Sequence, residues 1–234
     1  MLIDPPLFPA TLIKRYKRFL ADVRLDDGTE LTVHTPNTGS MLGCAGPGMR
    51  IWLRDTQNPK RKYRYSWEMS ETANGVKIGV NTMISNQLVT EAIDSGVIVE
   101  LQGYNQILSE VPYGHENSRI DLLLKNESQP CYVEIKNVTA ADAKGLAIFP
   151  DAVSQRGAKH LRELKAMIEA GHRAVILFSV QRGDIKGFRP ATEIDPVYAQ
   201  TLQDVTVAGV EALAYQAEVS PGEIRLKNRL AIDL

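Results

Sequence analysis

The sequence predicts an α+β chain of α/β character, with a small closed β-barrel in front and a mixed, centrally parallel sheet flanked by helices behind it. Three observations predict this. The first third holds five or six short strand-like runs separated by tight turns. From about Asn81 the pattern changes to strands alternating with helical segments. With 234 residues, 44% of them hydrophobic, the chain is long enough to bury a core in two modest domains, expected at 1–80 and 81–234.

The barrel strands are read in order as Thr11–Tyr16, Phe19–Leu25, Glu30–His34, Arg50–Arg54, Tyr63–Met69 and Val76–Val80. "DDG" at 26–28 and "ANG" at 73–75 serve as hairpin turns. Between the third and fourth strands runs "HTPNTGSMLGCAGPGM", a loop with four glycines. It suits either a close approach to a phosphate, through groups such as Asn37 and Thr38, or a purely structural set of turns. It lacks the GxxxxGK[ST] pattern of a Walker loop.

The second part begins with a helix over Met83–Ser95, in which Met83, Leu88, Ala92 and Ile93 share a face and Gly96 closes the end. A strand at Val97–Leu101 follows, then a hairpin of Ile120–Leu124 and Tyr132–Val138. Next come a helix over Ser154–Ala170, a strand at Arg173–Val180, a helix over Pro196–Ala208 and a strand at Val210–Ala217.

Charge divides unevenly. Residues 1–80 carry 12 Lys/Arg against 8 Asp/Glu, whereas the remainder carries 15 against 20. The basic excess clusters in "KRYKRF" (Arg15, Lys17, Arg18) and "KRKYRY" (Lys60, Arg61, Lys62), where cations alternate with aromatics. That mixture suits phosphate neutralisation with base stacking, on a barrel of the oligonucleotide-binding (OB) type. A strand pair with a cationic outer face gives the same pattern. The longest apolar runs fall well short of the ~20 residues of a spanning helix, and the N-terminus has no cationic start before an apolar block. No membrane association and a cytoplasmic setting are therefore expected. Cys44 and Cys131 lie far apart, without CxxC spacing, and support neither a disulfide framework nor a zinc site.

The chemistry is concentrated in "IDLLLKNESQPCYVEIKNV", residues 120–138. Glu134 and Lys136 point to one face because strand side chains alternate, and a turn near Glu127–Ser128 sets Asp121 opposite Glu134. Two facing carboxylates need a cation between them. Either Lys136 neutralises them, or they hold a divalent ion such as Mg²⁺ or Mn²⁺, with Lys136 orienting water or binding phosphate. Downstream, Arg156 and Lys159 in the first turns of the 154–170 helix suit either a phosphate at the helix start or an ordinary cationic surface, with Leu161, Leu164 and Ile168 as the buried stripe. His160, in the same turns, suits either a more distant supporting partner of the site or a lone structural hydrogen-bonder.

The D…ExK pattern on consecutive strands resembles the PD-(D/E)xK nuclease-like fold. "RYKRFLADV", "PNTGSMLGC", "VNT", "SRIDLLL", "YVEIKNVT", "FPDAV" and "RGAKHLREL" are similar to the sugar fermentation stimulation protein A family over nearly the whole chain. The resemblance implies an OB-like barrel ahead of a nuclease-like domain, and DNA binding, to single or double strands. It also implies a regulatory part in sugar (maltose) metabolism and Mg²⁺-dependent phosphodiester hydrolysis. Asp121, Glu134 and Lys136 match the catalytic-type positions, and Ile120 replaces the motif proline. Nuclease-like domains often draw a further acid from the helix before the hairpin. Glu91 is expected to join the metal ligands, with Glu110 as its rival. Oligomeric state is open, a homodimer included.

Overall fold

The computed structural model describes residues 1–114, 116 and 118–234. Six strands form the N-terminal sheet: β1 (Phe8–Tyr16), β2 (Leu20–Arg24), β3 (Glu30–His34), β4 (Arg50–Asp55), β5 (Tyr65–Glu71) and β6 (Lys77–Gly79). They run in the order β3-β2-β1-β4-β5-β6, and a parallel bridge between His34 and Ser66 joins β3 to β5 and closes a five-stranded barrel. Alternation along each strand sends Leu12, Val23, Val33, Ile51, Leu53 and Trp67 inward to one core. At the β2–β3 turn Gly28 adopts φ 87°, a conformation that a side chain would strain.

The second sheet also has six strands, ordered β14-β13-β11-β9-β8-β7. These are β7 (Gln106–Tyr113), β8 (Ser118–Lys125), β9 (Cys131–Val138), β11 (Arg173–Val180), β13 (Glu211–Ser220) and β14 (Glu223–Arg229). Central β11 runs parallel to both β9 and β13, whereas the outer pairings are antiparallel. α1 (Ser85–Asp94) packs Leu88, Val89 and Ile93 on one face of the sheet. α2 (Gln155–Glu169) and α3 (Pro196–Val207) bury Leu161, Leu164, Tyr198 and Leu202 on the other. Each such leucine contributes roughly 1.5–3 kcal/mol on leaving water. A small parallel pair, β10 (Leu146–Phe149) and β12 (Gly187–Pro190), stands beside this sheet. No helix among the described residues is long and apolar enough to cross a membrane.

Several expected elements differ. Val97–Leu101 is no strand; its end is a short helical turn at Val99–Leu101. The Gln102 amide caps it by donating to the Ile93 and Ile98 carbonyls. The expected helix at 83–95 divides into a 3-10 turn (Thr82–Ile84) and α1, since Asn81 caps Met83 before the α-helix begins. Ile168 is only partly buried, and Met167 completes the α2 stripe. β7, β10, β12 and β14 were not expected. β7 is an edge strand interrupted by Pro112 and by left-handed Glu110, and β14 alternates with exposed Arg225, Lys227 and Arg229, so neither shows a continuous apolar run.

Barrel and second sheet are joined at specific points. Gly79 N–H donates to the Gln181 carbonyl at 2.8 Å, and a Cβ on Gly79 would collide with the Gln181 side chain. The glycine-rich loop is tied across by Ser40 Oγ to the Asp151 carbonyl (2.7 Å) and by Met41 N–H to Asp151 Oδ2 (2.9 Å).

Candidate active site

β8 and β9 pair through Leu122–Val133, Leu123–Tyr132 and Leu124–Cys131. Continuing that register sets Asp121 level with Glu134. Here the ladder ends, and the Asp121 carboxylate replaces it: Oδ2 accepts the Ile135 N–H at 2.7 Å. Leu123 packs in the core under α2, whereas Leu122, Val133 and Ile135 pack in the core under α1. Glu134 and Lys136 therefore share the α2 side of the sheet, and Asp121, where the alternation of β8 breaks and Asn86 of α1 reaches it, meets them at the end of the ladder.

Glu134 is 2% exposed. Its Oε1 accepts from Lys136 Nζ at 2.6 Å and meets Nδ1 of His160, which α2 brings down from above. Its Oε2 is buried with no hydrogen-bond partner among the described residues. Burial pushes the Glu134 carboxyl up, yet Lys136 and His160 outweigh it and hold the group below the usual range, so it is ionised. Asp121 behaves oppositely. Burial first, and the Glu134 charge second, push its carboxyl up to about 6 against the Ile135 amide, Lys136 and Asn86. Two neighbouring acids thus sit in different protonation regimes, and an added cation would relieve both.

Two cavities meet at this cluster, and Asp121, Ile135 and Lys136 line both. One, of about 480 Å³, is cationic, with Arg119, Arg156 and Lys159 on its walls. The other, of about 270 Å³, lies toward the barrel, where Asn37, Thr38, Asn86 and Asn137 offer amides and hydroxyls.

The remaining expected residues fall into groups. Arg156 and Lys159 enter the site; Arg156 Nε donates to His160 Nε2 at 3.3 Å, and Lys159 donates to the Glu116 carbonyl. Glu91 does not enter it: half-exposed, it pairs with the N-terminal ammonium at 2.6 Å and lines neither cavity, because its turn of α1 points away from β8. Glu110 lines the cationic cavity instead, opposite Asp121 on β7. Asn86 donates to both Glu110 (3.3 Å) and Asp121 (3.4 Å). Among the described residues no group of three or more His, Cys, Asp or Glu is already gathered around one cation position.

Arg15 is not a freely offered phosphate contact. Its guanidinium donates to the carbonyls of Arg18, Asn37 and Gly39, and Arg18 donates to that of Thr38, so the pair hangs the 37–40 loop. Asn37 is likewise structural, 7% exposed, donating to the Val80 carbonyl and accepting from Gly39 N–H. Thr38 and Lys17 are exposed. Lys60, Arg61 and Lys62 are exposed on the β4–β5 loop; Arg61 and Lys62 border a hollow of about 210 Å³ with His34 and Tyr63, and none of the three lines the acid cluster's cavities.

Sequence reasoning weighed His160 only as a distant partner or a structural residue, without placing it against Glu134, and missed Asn86 and Asn137. The one available signal was the i, i+4 spacing of Arg156 and His160 at the start of an amphipathic helix.

Comparison with known proteins agrees with this architecture. A family model described as "Sugar fermentation stimulation protein RE domain" matches residues 83–223, and one described as "SfsA N-terminal OB domain" matches residues 13–80. A sugar fermentation stimulation protein homolog of Thioalkalivibrio sulfidiphilus is 54% identical over 100% of this chain and 98% of its own. That of Citrifermentans bemidjiense is 56% identical over 99% of both. Among solved structures, Pyrococcus furiosus SfsA in complex with Ca²⁺ superposes with a TM-score of 0.90 at 27% identity, covering 100% of this chain and 98% of that one. The chain belongs to the sugar fermentation stimulation protein family.

Proposed function

We propose that this protein is a DNA-binding, divalent-metal-dependent phosphodiesterase whose reactive centre is Asp121, Glu134 and Lys136. The observation that carries the reading is the buried Oε2 of Glu134, without a partner among the described residues, beside an Asp121 carboxyl that burial and the Glu134 charge keep partly protonated. Both features fit carboxylates built for a cation. Asp121 and Glu134 Oε2 would hold Mg²⁺ or Mn²⁺, with water completing the shell as Mg²⁺ prefers. When bound, the ion supplies an acidified water and stabilises charge on the phosphodiester oxygens. Lys136 binds a phosphate oxygen or orients the attacking water. Arg119, Arg156 and Lys159 bind the phosphates on the cationic side, and the exposed Lys17, Lys60, Arg61 and Lys62 extend that path over the barrel. The Ca²⁺ complex of the Pyrococcus furiosus relative supports a cation-binding role.

A second reading, a non-catalytic DNA-binding regulator linked to sugar metabolism, is favoured by one observation. Lys136 already pairs with the Glu134 charge without any ion, and His160 meets the same oxygen. Incubating the chain with single- and double-stranded DNA, with Mg²⁺ or Mn²⁺ and with chelator, separates the two. The first reading expects cleavage that requires the ion and disappears in Asp121→Ala, Glu134→Ala and Lys136→Ala; binding without ion-dependent cleavage of any substrate supports the second.

A further inference from the structure

The ring of His160 has three polar neighbours. Glu134 Oε1 lies against Nδ1, Lys136 Nζ stands 3.4 Å from the same nitrogen, and Arg156 Nε stands 3.3 Å from Nε2. An ionised carboxylate only accepts hydrogen bonds and a guanidinium only donates them. The neutral arrangement that satisfies the Glu134 and Arg156 contacts places the ring proton on Nδ1, pointing at Glu134, and leaves the Nε2 lone pair to Arg156; the Lys136 ammonium, a donor only, is then accepted by Glu134 Oε1 at 2.6 Å and not by the ring. His160 is 6% exposed, and Gly157, where a Cβ would touch the Tyr198 ring, lets α2 lie close over α3 and fixes the height of the imidazole.

Glu134 Oε1 therefore has two donors, His160 and Lys136, while Oε2 has no partner among the described residues. This asymmetry has a use. If Lys136 were the only donor, turning its ammonium toward a phosphate would strip Oε1 of its partner inside a buried site, a costly exchange. With His160 in place, Oε1 keeps a hydrogen bond and the carboxylate is held against rotation, so Oε2 is the oxygen left without a partner among the described residues.

We propose that His160, held in its Nδ1–H form by Arg156, is a positioning residue that fixes Glu134 so that Oε2 faces the cation position and Lys136 is released for phosphate. This rests on the cation-binding reading above and adds to it two residues outside the D…ExK set.

The test measures Mn²⁺ binding to the full chain by electron paramagnetic resonance, with no substrate present. His160→Ala is expected to weaken binding about ten- to a hundredfold, as loss of a ligand's supporting partner commonly does. His160→Asn places an amide donor near the former Nδ1 and is expected to recover most of the affinity; His160→Gln, whose amide sits near the former Nε2, is not. A folded His160→Ala with wild-type affinity, or rescue by Gln and not Asn, overturns the inference. Arg156 is exposed, so Arg156→Ala tests it without threatening the fold. The imidazole ¹⁵N shifts are expected to move from Nδ1–H toward a tautomer mixture, with Mn²⁺ binding weakened about threefold. Unchanged shifts and affinity overturn the inference as well. A wild-type chain that binds no Mn²⁺ overturns the cation-site reading itself, whereas wild-type binding that ignores His160 and Arg156 overturns only this addition.

Discussion

Replacing Asp121 with Asn is expected to stabilise the protein while abolishing its function. Asp121 titrates near 6 in the fold against about 3.9 in an unfolded chain, so the folded state binds this proton more tightly than the unfolded state does. Its favourable contribution is complete below about pH 4, is lost as pH rises from about 4 to 6, and stays lost above. At about 1.4 kcal/mol per tenfold the difference approaches 3 kcal/mol, and partial solvent access reduces this to roughly 1–3 kcal/mol. Asn keeps an oxygen for the Ile135 N–H and removes the repulsion from Glu134. In chelator, Asp121→Asn should therefore melt roughly 2–10 °C higher than wild type at pH 8 and about level with it at pH 4. Thermal unfolding by circular dichroism at both pH values measures this. A variant less stable than wild type at pH 8, or equally stabilised at pH 4, would refute the reasoning.

Four other outcomes are expected. Glu134→Gln should destabilise by about 3–5 kcal/mol in urea unfolding at pH 7, because it leaves Lys136 and His160 facing a neutral group. The Glu134 carboxyl is held low in the fold, so the stability it lends is present above about pH 4 and fades on acidification, the reverse of Asp121. Asp151→Ala should raise hydrogen exchange in residues 37–41 and cost about 1 kcal/mol, since it removes the acceptor for Met41 N–H. Replacing Lys60, Arg61 and Lys62 with Ala should lower the salt slope of DNA binding by up to about 3, whereas Arg15→Ala should mainly lower the melting temperature, its donors being spent on loop carbonyls. Ser154→Ala should cost about 1 kcal/mol through loss of the α2 cap, in which Ser154 Oγ accepts the Gly157 N–H at 3.0 Å.

The sequence was most readable where one physical rule acted alone. Glu30–His34 and Arg173–Val180 fall where the apolar pattern put them, and the β8–β9 register follows from a turn held by Asn126 Oδ1, which accepts from Ser128 and Gln129. β7 was hidden because Glu110 and Pro112 break its pattern for reasons of site and edge that only three-dimensional pairing supplies. Glu91 and Glu110 are equally acidic in sequence. Which one faces Asp121 depends on the rotation of α1 and on a left-handed residue in β7, and neither leaves a periodic trace. Arg15 looked like a phosphate ligand because composition records its charge, while the carbonyls that use its donors lie some twenty residues away. The contact of His160 was out of reach for a similar reason: α2 must pack on the sheet before its imidazole can reach Glu134.

The most direct measurement is anomalous diffraction from crystals soaked in Mn²⁺. A peak about 2.2 Å from an Asp121 oxygen and from Glu134 Oε2, with His160 still on Oε1, is the expected result. Strong Mn²⁺ peaks elsewhere, with none between these two carboxylates, would contradict it.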